Sequence, residues 1–187
     1  MIYAGIGSRK TPPEILTLLS KIAFRLAQLG HVCRSGHAAG ADQAFELGAS
    51  EAIKRGDATK DQLFVYLPWA SFNQEVKHLG CSIVPTGEQF KSADALLKTV
   101  HPAYERLSFG AKKLHGRNMF QALGDQLFNP VDFVVCWTPD GAESPEEISK
   151  ETGGTSTAIM VAHLNGAKIF NLKHECAIAR LKDFIGC

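Results

Sequence analysis

The chain has 187 residues, 45% of them hydrophobic and 21% charged, with a formal net charge of +1. That length suits one domain, spanning 1–187, with a sizeable core. Near-neutrality gives no global attraction for nucleic acid, so a DNA-coating role is not favoured. No apolar run approaches the roughly 18 residues that a membrane span needs, and no basic segment followed by a long apolar stretch marks a secretory signal, so a cytoplasmic location without membrane contact is expected.

The first strand is expected over 2–6, followed by a helix over 14–29. Ile15, Leu18, Leu19, Ile22, Leu26 and Leu29 fall on one face of that helix, and Gly30 stops it. A strand over 32–34, a helix over 41–55 ending at Gly56, and a strand over 63–67 closed by Pro68 come next. Between 70 and 118 the pattern is helical and loop-like, with short helices over 93–99 and 102–107 and a longer one over 118–127. Phe133-Val134-Val135-Cys136-Trp137 reads as the fourth strong strand. A helix over 157–164, a strand over 168–172 and a short helix over 176–184 complete the chain. Alternating strands and helices predict an α/β, Rossmann-like open parallel sheet with helices on both faces. The stretch 138–152, with Asp140, Glu143, Glu146, Glu147 and Glu151, is acidic. It reads either as a mobile cover or as a solvated insertion.

The five cysteines, Cys33, Cys81, Cys136, Cys176 and Cys187, form no Cys-x-x-Cys pair. Their number and spacing speak against a disulfide framework or a structural zinc site, and Cys33 and Cys136 read as core residues. The seven histidines show no metal-ligand spacing, so neither a bound metal nor a cofactor is expected.

Three junctions share one pattern, in which a strand meets glycine and then a helix. They are Gly5-Ile6-Gly7-Ser8-Arg9, Ser35-Gly36-His37-Ala38-Ala39-Gly40-Ala41-Asp42, and Thr152-Gly153-Gly154-Thr155-Ser156-Thr157. Such a turn leaves unpaired N–H groups at the positive end of the helix, where a phosphate binds well. In an open parallel sheet all three loops lie at the carboxyl edge and can converge on one ligand. The chain therefore reads as a nucleotide binder.

Taken in order, these three motifs resemble the SLOG superfamily of Rossmann-like proteins, which includes DNA-processing protein A-like domains and LOG phosphoribohydrolases. The middle and last motifs are nearest to the DNA-processing protein A side, and the compact length is that expected of phage-type members. The segment Leu114-His115-Gly116-Arg117-Asn118-Met119 is similar to the Met-His-x-Arg-Lys segment of the LOG enzymes. By that resemblance Arg117 takes part in cleaving the N-glycosidic bond of a nucleoside monophosphate. The partner glutamate of those enzymes has no counterpart here, since Thr157-Ala158-Ile159 stand in its place. The resemblance also implies a homo-oligomer, a dimer or larger, with the helix after Arg117 in the contact.

Chemistry alone supplies a parallel list. Cleaving a base–ribose bond passes through an oxocarbenium-like sugar, which calls for a carboxylate at the sugar, a donor at the base and fixed phosphate contacts. The catalytic candidates are Arg117, as the resemblance implies, and for the carboxylate Asp42 and Asp140, with Glu143, Glu146 and Glu147 as substitutes if the acidic loop closes. Candidates for phosphate or ligand contact are Gly7, Ser8, Arg9, Ser35, Gly36, Gly40, His115, Asn118, Gly153, Gly154, Thr155 and Thr157. Asp42 also reads as a helix-start residue favoured by the dipole. His37 sits in a glycine loop, and Trp69, Phe72 and Trp137 follow strand ends, where a ring can either stack on a base or fill the core edge. Two functions stay open. One is an enzyme acting across the N-glycosidic bond of a nucleotide or nucleotide-derived small molecule. The other is a non-catalytic nucleotide sensor, or a single-stranded DNA binder using a local patch such as Lys112, Lys113 and Arg117.

Overall fold

The computed structural model describes residues 1–186, so Cys187 lies outside the described residues. Six strands, β1 (Ile2–Gly5), β2 (Val32–Ser35), β3 (Leu63–Tyr66), β4 (Cys81–Ile83), β5 (Phe133–Cys136) and β6 (Lys168–Asn171), form one sheet. Its order is β4-β3-β2-β1-β5-β6, and every pairing is parallel. The chain builds outward from β1 to β4, then crosses back to place β5 on the other side of β1. The fold is α/β and Rossmann-like, with its topological switch between β1 and β5.

Six helices, α1 (Pro13–Gln28), α2 (Ala41–Arg55), α3 (Gly87–Val100), α4 (Phe109–Leu123), α5 (Thr155–Leu164) and α6 (Ala177–Ile185), cover the sheet. Successive side chains of a strand point to opposite faces, and the two cores divide accordingly. Tyr3, Phe133 and Val135 pack with Leu19, Phe45 and Leu181 on the face of α1, α2 and α6. Ala4, Val134 and Cys136 pack with Met119, Phe120 and Ile159 on the face of α3, α4 and α5. Because both faces are covered, β5 is buried at every position, as its unbroken apolar run requires. The first pair of helices lies unusually close, since a Cβ on Gly48 would meet the Ser20 carbonyl oxygen at 1.9 Å. Cys33 and Cys136 are free and buried, as core residues.

Three stretches differ from the sequence expectation. The edge strand β4 was not anticipated, because it has only three residues and is half exposed. The expected short helix over 93–99 is the second half of α3, whose start is capped by the Thr86 hydroxyl, which accepts from the Gln89 N–H. Over 102–107 the chain makes a single 3₁₀ turn, Tyr104–Arg106. The helix expected over 118–127 starts nine residues earlier and ends at Leu123. Ser108 caps it by accepting from the Ala111 N–H, and Gly124 ends it with φ +72°. Arg117 therefore projects from the middle of a helix rather than from a loop.

The acidic stretch 138–152 is tied to the sheet at Glu143 while Glu146, Glu147 and Glu151 stand in solvent, as a solvated insertion would have them. The Glu143 carboxylate accepts two bonds from Arg180, at 2.6 and 2.9 Å, and one from the Asn171 N–H at 2.7 Å. Asn171 Nδ2 in turn donates to Thr138 Oγ1 and to the Ala142 carbonyl oxygen. Among the described residues no helix is long and apolar enough to cross a membrane.

Candidate functional site

A cavity of about 590 Å³ opens at the carboxyl ends of β1 and β5, at the switch point. Its walls come from four places: Ile6, Gly7, Ser8, Arg9 and Lys10 after β1; Ala38 and Asp42 after β2; Leu114, His115, Arg117, Asn118 and Gln121 along α4; and Pro139 with Lys150 to Thr155 after β5. The loop after β1 sits hard against the end of β5. Ser8 N–H donates to the Trp137 carbonyl at 3.0 Å, and a Cβ on Gly7 would meet that same oxygen at 2.8 Å. Glycine is required there by close approach.

The start of α5 forms the far wall. Gly153, at φ +61°, turns the chain into the helix, and no side chain caps the Gly154 position. Asn118 Nδ2 reaches from α4 and donates to the Gly154 carbonyl oxygen at 2.7 Å, which fixes the turn. The positive end of a ten-residue helix, in a cavity also lined by Lys150, Arg9 and Lys10, suits an anionic group.

Opposite stands a buried ion pair. Arg117 Nη1 lies 3.0 Å from Asp42 Oδ2, and both side chains are nearly sealed from solvent. The same nitrogen donates to Gln121 Oε1 at 3.0 Å. Room for the guanidinium comes from Gly36, where a Cβ would fall 1.2 Å from Arg117 Nη1. Burial pushes the Asp42 carboxyl pKa up; Arg117 pulls it back, and the Glu46 carboxylate pushes in the same direction as burial. One turn along α2, Glu46 meets the buried His37 ring. Its Oε2 lies 2.5 Å from His37 Nδ1, and its Oε1 accepts from the His37 N–H at 2.8 Å. That carboxylate raises the pKa of the His37 imidazole against the cost of burial.

Of the residues singled out from sequence, Gly7, Ser8, Arg9, Asp42, His115, Arg117, Asn118, Gly153, Gly154 and Thr155 line this one cavity. The others stand just behind it. Ser35 Oγ donates to the Asp42 carbonyl oxygen, and Gly40, at φ +92°, packs against the Ser8 carbonyl. Thr157 Oγ1 lies 2.7 Å from His115 Nδ1. Asp140 is turned to its own loop, where its Oδ2 accepts from the Ser149 N–H and the hydroxyls of Ser149 and Thr152. Burial works against its charge, yet the hydroxyls of Ser149, Thr152 and Thr138 hold its carboxyl well below the usual range. Trp69, Phe72 and Trp137 are not among the lining residues; Trp69 and Phe72 pack edge to face on each other at 5.2 Å. Sequence reasoning missed Gln121, Lys10 and Lys150. Gln121 was legible in principle, since 114, 117, 118 and 121 share a helical face once α4 is read at its full length.

His115 gives this region a pH signature. Burial, the neighbouring His101 ring at 4.7 Å and Arg117 lower its pKa to about 4. The unfolded chain, with an ordinary histidine, binds the proton first as pH falls. His115 should therefore contribute stability that is present above pH ~6.5 and lost on the way to ~4, a loss of about 2 kcal/mol after allowance for its partial exposure. Denaturant unfolding of wild type and His115→Gln across that window checks this, and the variant should show the flatter profile.

Neither a protein-family model nor a curated protein matches the chain. Among solved structures it is similar to DNA processing protein A from Helicobacter pylori, described for its single-stranded DNA binding mode. The two share 15% identity over 98% of this chain and 81% of that one, with a TM-score of 0.42. A likeness of that degree carries no residue role across.

Proposed function

We propose that the chain binds a nucleotide, or a nucleotide-derived small molecule, by its phosphate in the switch-point cavity and does not turn it over. The observation that supports binding is the side-chain-uncapped start of α5 at Gly153 and Gly154, which faces a cavity also lined by Arg9, Lys10 and Lys150. A phosphate there has backbone N–H groups, a helix dipole and three flexible cations to meet it. Two carboxylates support the reading without turnover. Asp140 is committed to its own loop, and Asp42 to Arg117. The two carboxylates that the sequence placed first at a bound sugar are thus both engaged, which leaves Glu151, exposed on the cavity wall, as the acidic group a hydrolase would have to use.

One observation favours the hydrolase reading. Asp42 lines the cavity with a raised pKa, the condition of a general acid. Titration calorimetry with ribo- and deoxyribonucleoside monophosphates, followed by chromatography of the same mixtures for free base, separates the two. Saturable binding with every nucleotide intact is the expected result. Free base that disappears in Asp42→Asn would establish the enzyme instead, and no heat at millimolar nucleotide would end the binding reading. A single-stranded DNA ligand would declare itself by a steep loss of affinity with salt, because each phosphate neutralised releases a counterion.

A further inference from the structure

A second polar cluster lies one helical turn from Asp42. His37 from the loop after β2, Glu46 from α2 and His78 from the β3–β4 connection each offer one ligand atom, and these atoms all lie within 4.8 Å of one another. His37 and Glu46 are buried, and His78 is half-buried.

The far side of both rings is arranged as it is around a metal. His37 Nε2 stands 3.0 Å from the Asn73 carbonyl oxygen, which can only accept, so Nε2 holds a proton there. His78 Nε2 lies 3.1 Å from Ser82 Oγ. Metal-ligating histidines are oriented in this way, by an oxygen on the nitrogen that does not bind. Each ring then has Nδ1 as its ligand atom. That of His37 faces Glu46 Oε2 at 2.5 Å, and that of His78 is buried with no hydrogen-bond partner at all. The Gly80 backbone acts on the ring, yet no hydrogen bond satisfies this desolvated nitrogen, whereas an ion would.

We propose that His37, Glu46 and His78 form a binding site for a divalent transition-metal ion of the zinc type, with the fourth position left to water. Two imidazoles and one carboxylate are a donor set for zinc rather than for calcium or magnesium, which take oxygen ligands. Ligand atoms around tetrahedral zinc stand roughly 3.3 Å apart, so on binding the His37–Glu46 pair opens from 2.5 Å while atoms now as much as 4.8 Å apart draw in. The ion displaces the proton shared by His37 Nδ1 and Glu46 Oε2, which passes to solvent, while both Nε2 bonds stay in place. The result is a clamp between α2 and the β3–β4 connection, along a seam already joined by Asn73 Nδ2 donating to the His37 carbonyl and by Leu79 N–H donating to Ser50 Oγ. The site does not depend on the nucleotide reading.

The test is a titration of the full chain, stripped by chelator, with Co²⁺ followed by its tetrahedral visible absorption, and with Zn²⁺ followed by elemental analysis after desalting. One ion per chain is expected, with a rise in thermal midpoint on adding Zn²⁺. His78→Ala should weaken binding by on the order of a hundredfold and abolish the rise in midpoint. His78→Gln serves the same purpose should the alanine variant fail to fold. A wild-type chain that retains no ion, or an affinity unchanged in the folded variant, overturns the site.

Discussion

Arg117→Met is expected to destabilise the fold by about 3–5 kcal/mol, the usual result of removing one partner from a buried ion pair. The arginine is enclosed by Asp42, Gln121 and the Gly36 backbone, and its replacement leaves the Asp42 carboxylate without its counter-charge at 3.0 Å. Methionine fills much of the volume, so the loss reports charge rather than cavity. Asp42→Asn in the same chain removes the stranded charge, and the double variant should recover at least half of what was lost. The single variant should also show a steeper pH dependence than wild type. Without the cation, burial and Glu46 act on Asp42 against only the Ala38 N–H, so its folded pKa climbs further above its unfolded value. The folded state then holds the proton more tightly than the unfolded chain does, and stability falls as pH rises between the two values. Urea unfolding of the three variants between acid and neutral pH measures this. A loss within about 1 kcal/mol for Arg117→Met would mean that the pair contributes to position and not to stability.

That arginine also marks the limit of what the sequence discloses. The strand β5 is an unbroken apolar run, and the glycine turns after β1, β2 and β5 announce the carboxyl edge on which the cavity sits. Their order and spacing were sufficient for the fold class and for seven of the cavity residues, while His115, Arg117 and Asn118 came from the resemblance to the LOG segment. The helix α4 was not legible to its full length, because its first two turns, Phe-Gly-Ala-Lys-Lys-Leu-His-Gly, hold two glycines and two lysines and little apolar periodicity. Its stability comes from Ser108 and from packing against α3 and α5, which are tertiary facts. The role of Asp140 was hidden for a similar reason. A carboxylate that follows a strand end looks alike in sequence whether it faces a ligand or ties its own loop to Ser149 and Thr152. The cluster of His37, Glu46 and His78 escaped because metal spacing is sought along one element, and these ligands come from three.

Gly154→Asp should cost the chain most of its affinity for phosphate while leaving its stability intact or slightly improved. Gly154 has φ −63° and ψ −19°, open to any residue, and nothing stands within 4 Å of where its Cβ would be. A carboxylate at the start of a helix interacts favourably with the dipole, by about 0.3–1 kcal/mol at an exposed position. For a bound phosphate the same charge is repulsive. At a separation near 5 Å and an effective dielectric of 20 the penalty is about 3 kcal/mol, roughly a hundredfold in dissociation constant. Gly154→Asn has the same shape without the charge, and its affinity should stay within a few-fold of wild type. Thermal denaturation and nucleotide titration of the pair therefore separate steric from electrostatic effects. If the aspartate variant binds as tightly as the asparagine one, the phosphate does not sit at the start of α5, and the anionic end of the ligand must be sought at Arg9 and Lys10 across the cavity.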